Sequence, residues 1–323
     1  MSRVNELTVV MYHYVRELVD SRFPEIKGLA IEEFIQQLNY FERNYTFVTM
    51  EECLTSLETG MALPKEPILL TFDDGYIDHF LNVFPILSRR GIQGSFFPPA
   101  RAVLERRVLD VNKIHFILAS APNITQLLNA LSDQIENYRY KYNLKPINEY
   151  AAELNLVSRY DSPEVMLIKC LLQYVLPLAA RECITDNLFK KFLDVSECVF
   201  ARELYMNVEQ LKMMHHAGMY IGSHSFDHVW LDKLNPKQQE QQIDLSLEFL
   251  DLLGVNTAHW VMCYPYGAYN DSLLSILQTK GCRLGLTTKV GVANLVGDQS
   301  LVLSRFDTND FPVWEHKKIK IIK

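Results

Sequence analysis

Glu66-Pro67-Ile68-Leu69-Leu70-Thr71-Phe72-Asp73-Asp74-Gly75 is the stretch from which the rest of the chain is read. Ile68, Leu69, Leu70 and Phe72 run almost without polar interruption, the pattern of a short strand buried on both faces. The strand stops abruptly at two carboxylates and a glycine. Helical spacing then runs from Tyr76 to Arg90 and ends at Gly91, a residue suited to the left-handed position that closes a helix. The order is strand, polar junction, helix.

The same rhythm extends in both directions. Leu7 to Val15 reads as a buried strand, Ile31 to Phe41 as a helix with Phe34, Leu38 and Phe41 on one face, and Gly94 to Phe97 as a strand closed by Pro98-Pro99. Helix and strand alternate again from Asn207. A helix runs to Gly218, and the strand Met219–Gly222 ends in Ser223-His224. A helix from Pro236 to Gly254 leads to the strand His259–Tyr264. A last helix, Asp271–Lys280, precedes the strand Arg283–Thr287. Such alternation predicts parallel strands with helices outside, an α/β barrel in which residues past the C-terminal strand ends carry the chemistry. Between Val103 and Leu204 the strands vanish and only helical spacing remains, as in Leu127, Leu131 and Ile135. The expected organisation is a barrel from 1–102 and 205–323, with 103–204 as a helical insertion.

Composition narrows the class. With 323 residues, 48% apolar and 22% charged, the chain is an ordinary globular one, neither disordered nor collagen-like. Lys+Arg 32 against Asp+Glu 39 gives a net charge of −7, which lacks the electrostatic footprint of a nucleic-acid binder. The N-terminus has no apolar signal core, and no apolar run is long enough to span a bilayer. The six cysteines contain no Cys-x-x-Cys pair and read as reduced thiols. The expected location is the cytoplasm. Composition says nothing about oligomeric state.

Three segments place chemistry-bearing residues after strands. In Thr71-Phe-Asp-Asp-Gly75, one carboxylate can hold a cation while its neighbour faces a water. In Ser223-His-Ser-Phe-Asp-His228, two histidines four apart can face one metal. Cys263-Tyr-Pro-Tyr-Gly267 is an aromatic turn able to line a pocket and present a backbone N–H.

In this order the segments resemble the first three motifs of the NodB-homology polysaccharide deacetylases, carbohydrate esterase family 4. Gly94-Ser-Phe-Phe-Pro98 and the run from Met206 to Leu231 are similar to that family as well. The resemblance implies a distorted (β/α)7-type barrel with one divalent metal ion, most often Zn2+, and an amino-sugar or saccharide substrate. Carried over by position, Asp74, His224 and His228 would ligate the metal and Asp73 would be the general base. The backbone N–H of Tyr266 would hold the oxyanion. The usual acid histidine in a C-terminal Leu-x-His motif is missing, since His316 lies in a charged tail. Met11-Tyr-His-Tyr14 instead resembles circularly permuted members, which assigns the acid to His13. Also missing is the arginine that many members carry shortly before the Pro-Tyr of the third motif. Arg305 is the candidate to pair with Asp73 in its place; the alternative is a surface arginine.

Tyr76, Trp230 and Tyr264 are candidates to contact sugar rings, with core packing as the alternative for the first two. His79 is expected on the exposed face of the helix after the Asp-Asp turn, and Asp307 has a minor claim on the site. The leading activity is hydrolysis of the N-acetyl group of an amino sugar, in a surface polysaccharide such as an O-antigen or capsule, or in its nucleotide- or lipid-linked precursor. A same-fold hydrolase of another C–N bond or acyl group, such as a deformylase or cyclic-amide hydrolase, is the first alternative. A catalytically inactive saccharide-binding barrel is the second.

Overall fold

The computed structural model describes residues 6–158, 160–295 and 300–312. The chain divides into two compact units. The first comprises Met1–Glu17, Gly28–Arg107 and Ala201–Lys323, and the second Leu18–Lys27 and Val108–Phe200. The short segment 18–27, which the sequence reading includes in the barrel, falls in the second unit.

The first unit is mixed α/β. Its strands are β1 (Glu6–Tyr12), β2 (Thr46–Phe47), β3 (Pro67–Asp73), β4 (Gly94–Phe97), β5 (Tyr220–Ile221), β6 (Trp260–Cys263), β7 (Cys282–Leu286), β8 (Ala293–Asn294) and β9 (Phe306–Asp307). β3 lies between β1 and β4, β4 pairs β5, and β9 pairs the other side of β1, all in parallel. β6 and β7 form a separate parallel pair. Parallel bridges Ser223–Met262 and Leu286–Leu303 join that pair to the residues after β5 and before β9. Followed from strand to strand, the parallel pairing therefore returns to β1. Among the described strands, β8 pairs antiparallel to the start of β1.

Side-chain chemistry explains these elements. β3 buries Ile68, Leu69, Leu70 and Phe72 on both faces, as an inner parallel strand must. The helix Ile31–Asn44 turns Phe34, Leu38 and Phe41 into the core, and each gains roughly 1.5–3 kcal/mol by leaving water. The helix Pro236–Leu253 opens with a reciprocal Asn235/Gln238 cap and stops at left-handed Gly254. The helix expected from Tyr76 to Arg90 differs from its prediction. It is helical from Ile77 and passes through one wide π turn, His79–Val83, before the α-helix Phe84–Arg90.

The second unit contains no strand among the described residues. Its longest helices are Asp110–Ser120, Ile124–Tyr142 and Leu178–Leu193. Phe116 anchors its core, 4.9 Å from Phe23 and 4.8 Å from Phe200 between ring centroids. Buried Lys113 is held by Asp186 at 2.6 Å and Glu197 at 3.1 Å. No helix among the described residues is long and apolar enough to cross a membrane.

Candidate active site and metal centre

Because the strands run parallel, the residues that follow them gather at one edge. Tyr12 of β1 pairs Phe72 of β3, so His13 and Asp73 are the next residues along their two strands. Asp73 in turn pairs Phe97. Four of the non-glycine residues with left-handed backbone lie in the three motifs: Asp74 (φ 71°), Ser225 (φ 60°), His228 (φ 55°) and Tyr266 (φ 59°). Such conformations cost energy and persist where the surroundings hold them, commonly at functional sites. Gly75, at φ 66°, follows Asp74 in the turn, and a Cβ there would sit 2.7 Å from that of Pro98, so only glycine fits. The same holds at Gly267, where a Cβ would lie 2.3 Å from Thr288 Oγ1.

Asp73 is fully engaged by the protein. Arg305 Nη1 donates to its Oδ1 at 2.9 Å and Nη2 to its Oδ2 at 2.8 Å, and the Cys263 thiol donates to Oδ1 at 3.3 Å. Arg305 is only 1% exposed, which settles it as a buried residue and not a surface one. Two further donors are occupied: Nε bonds the Thr287 carbonyl at 2.8 Å and Nη1 reaches Thr71 Oγ1 at 3.2 Å. Burial alone would raise the Asp73 pKa, but the Arg305 charge, with His224 and His13 beyond it, outweighs burial and draws it down to about 2.

Asp74 sits differently. Its Oδ2 accepts the hydroxyl proton of Tyr76. Its Oδ1 has no hydrogen-bond partner and lies 3.4 Å from His224 Nε2 and 3.2 Å from His228 Nε2. His224 Nδ1 is 2.7 Å from the Cys263 carbonyl. A carbonyl only accepts, so Nδ1 carries a proton, and Nε2 is the ring atom that faces Asp74. Burial opposes charge on this ring, but the neighbouring Cys263, Asp74 and Asp73 raise its pKa well above the ordinary value. One carboxylate oxygen and two imidazole nitrogens, all buried and within 4.8 Å of one another, fit a divalent cation with room for further ligands. Burial opposes charge on these groups. At Asp74 the facing histidines overcome it and hold the carboxyl well below its usual range, whereas at His228 burial prevails and lowers the imidazole.

The histidine loop is braced from both sides. Ala100 and Arg101 donate backbone N–H bonds to the carbonyls of Ser225 (3.2 Å) and Phe226 (3.0 Å). The Arg101 guanidinium reaches Asp227 at 2.8 Å. Gln242 closes a two-way bond with Asp227, and Ser246 Oγ lies 2.6 Å from Ser223 Oγ. Gln242, Ser246 and Cys263 were not singled out as site residues from the sequence. Gln242 and Ser246 had a signal: they are polar interruptions, four residues apart, on the buried face of an amphipathic helix.

The aromatic candidates separate. Trp230 and Tyr266 are partly buried and stack face to face at 4.5 Å with an interplanar angle of 4°, and the Tyr266 ring meets His228 edge-on at 4.9 Å. Tyr76 and Tyr264 are fully buried; for Tyr76 this is the core-packing alternative, and for Tyr264 it departs from the expected sugar contact. Tyr76 serves Asp74 through its hydroxyl, and Tyr264 bonds the Leu301 carbonyl at 2.8 Å. His79 is also fully buried instead of exposed, with Nε2 2.8 Å from the His13 carbonyl. Asp307 caps a short turn by accepting from Asn309 N–H. His13 is partly buried, and its charge is felt by both Asp73 and Asp74. His316 lies outside the described residues.

Comparison with known proteins gives the family. The polysaccharide deacetylase family model matches residues 184–285, which include the second and third motifs. The chain is 32% identical over 290 residues to the "Putative polysaccharide deacetylase YxkH" of Bacillus subtilis (strain 168), covering 90% of this chain and 67% of that protein. This chain belongs to the polysaccharide deacetylase family. A shorter match within the family, 33% identical over 84 residues, is to the poly-beta-1,6-N-acetyl-D-glucosamine N-deacetylase of Escherichia coli (strain K12). It covers 26% of this chain and 12% of that protein. Among solved structures, the Streptococcus pyogenes deacetylase PplD in complex with acetate has a similar fold, with TM-score 0.58 and 18% identity over 94% of this chain and 92% of that one. The polysaccharide deacetylase barrel is thus the fold to which the α/β unit corresponds.

Proposed function

We propose that the chain is a metal-dependent amide hydrolase that removes the N-acetyl group from an amino sugar, in a polymer or in its nucleotide- or lipid-linked precursor. The observation that carries this reading is the unpartnered Asp74 Oδ1 facing two imidazole nitrogens, beside a second carboxylate neutralised by Arg305. Asp74, His224 and His228 hold the ion, and the donor set suits Zn2+. A divalent ion at this position acidifies water and polarises the acetyl carbonyl.

The chain's own residues supply the rest. Arg305 keeps Asp73 ionised and oriented, so Asp73 accepts the proton of the attacking water. The Tyr266 backbone N–H, turned by its left-handed conformation, donates to the carbonyl oxygen as negative charge develops there. His13, one residue past β1, gives a proton to the departing amine nitrogen, taking the place of the absent C-terminal histidine. Trp230, stacked on Tyr266, offers an apolar wall to a pyranose ring. The named relative from Escherichia coli makes β-1,6-linked N-acetylglucosamine oligomers the first substrate to test.

Two measurements test the reading together: metal content after zinc loading, and acetate release from those oligomers and from nucleotide- and lipid-linked N-acetyl sugars. The expected result is about one ion per chain, with acetate release abolished by chelation and restored by zinc. A protein that takes up no divalent ion under any loading overturns it.

A further inference from the structure

We infer that Asp78, His79 and Asn82 are positioning residues that clamp the segment carrying His13, and so set where its imidazole stands. The inference rests on the reading of His13 as the acid and adds the device that orients it. Segment 13–16 continues beyond β1, and the carbonyls of His13, Tyr14 and Val15 are bonded in alternation to its two sides. Toward one side, Leu29 N–H donates to the Tyr14 carbonyl at 2.9 Å and Arg16 N–H to the Leu29 carbonyl at 3.1 Å. Toward the other, the partners are side chains of one helical turn. His79 Nε2 donates to the His13 carbonyl at 2.8 Å and Asn82 Nδ2 to the Val15 carbonyl at 2.9 Å. The Arg16 guanidinium grips Asp78 with two bonds of 2.6 and 2.9 Å.

The turn is built for this reach. His79–Val83 is a π turn, in which Phe84 N–H returns to the His79 carbonyl, and such wide turns recur at functional sites. His79 itself is poorly explained as packing. It is surrounded by the rings of Phe72, Tyr76 and Phe96, its Nδ1 has no hydrogen-bond partner, and its one polar contact is the His13 carbonyl. A leucine would fill that space without burying an unmet nitrogen. The histidine's distinctive contribution is therefore the bond it makes to the backbone of His13.

The test exploits leaving-group chemistry. Cleaving an amide requires protonation of the departing nitrogen, whereas a phenolate leaves p-nitrophenyl acetate without an acid. In zinc-loaded full-length protein, His79→Leu should lower kcat for N-acetyl hydrolysis roughly 10- to 100-fold more than for p-nitrophenyl acetate, the size expected of a misplacement near 1 Å. KM and zinc content should stay at parental values. His79→Gln, whose amide N–H can reach the same carbonyl, should recover most of the loss. Asn82→Ala should shift the ratio in the same direction by less, and decides the matter if His79→Leu does not fold. A parental amide-to-ester ratio in the clamp variants, or equal losses on both substrates, overturns the clamp. His13→Ala separates the two levels: a parental ratio there overturns His13 as acid, whereas a shifted ratio there with unshifted clamp variants overturns the clamp alone.

Discussion

Asp73 and Asp74 are adjacent in the chain and equally buried, yet the protein treats them in opposite ways. Both oxygens of Asp73 are bonded by Arg305, and the pair carries no net charge inside the unit. Asp74 receives one hydroxyl bond from Tyr76, while its other oxygen faces two imidazole nitrogens and no donor. A buried charge is tolerable only when it is paired or bound to a metal. The difference supports the proposed division of roles. One carboxylate is balanced from within, as suits a fixed base; the other faces two imidazoles, as suits a metal ligand.

The largest expected effect breaks that contrast directly. Asp74→Asn should lose bound zinc and reduce turnover to background. Asp73→Asn should retain about one zinc per chain while turnover falls by about 10²–10⁴-fold, the usual range for a general base. Metal content and acetate release, measured side by side on the two variants, check this. If both variants lose zinc, the division of roles between the two carboxylates is wrong.

A smaller effect probes the internal balance. Arg305→Met strands the Asp73 carboxylate in a dry environment, which should cost about 3–5 kcal/mol of folding stability. Urea unfolding at pH 7 measures it. A loss below about 1 kcal/mol would mean that the pair behaves like a hydrated surface ion pair, and that the Asp73 charge is balanced by solvent.

The two halves of the contrast were not equally legible in the sequence. Asp73, Asp74, His224 and His228 stand out because a buried apolar run ends in them, a short-range pattern that needs no tertiary knowledge. The strand–helix alternation and the strandless middle of the chain are read on the same basis. Arg305 was left open between partner and surface residue because its contact with Asp73 spans 232 positions, and nothing local to Ser304-Arg-Phe marks a buried guanidinium. β2, β8 and β9 have two residues each, too few for any periodicity to register. Tyr76, Tyr264 and His79 were expected to be more accessible than they are. Their polar tips suggest exposure, but each reaches an interior partner: Asp74, Leu301 and the His13 carbonyl respectively. The braces Gln242 and Ser246 were visible only as polar positions on an otherwise apolar helix face.

His79 sharpens the comparison from a third position, because burial, which favours its neutral form, outweighs the pull of the Asp74 and Asp73 charges. Desolvation lowers its pKa from an ordinary 6.5 to about 4. Between those values the unfolded chain binds a proton that the folded chain does not, so stability falls as the pH drops. The contribution is whole above about pH 6.5 and lost by about pH 4, a total of about 3 kcal/mol at ~1.4 kcal/mol per unit. His79→Gln keeps a donor for the His13 carbonyl but cannot titrate. Its urea midpoint should therefore decline less than the parent's between pH 7 and pH 4.5, while carboxylates common to both chains cancel in the difference. Parallel declines would mean that the His79 ring takes up its proton without unfolding. The wall behind the site would then be open to water, and the contrast between Asp73 and Asp74 would lose the dry surroundings on which it depends.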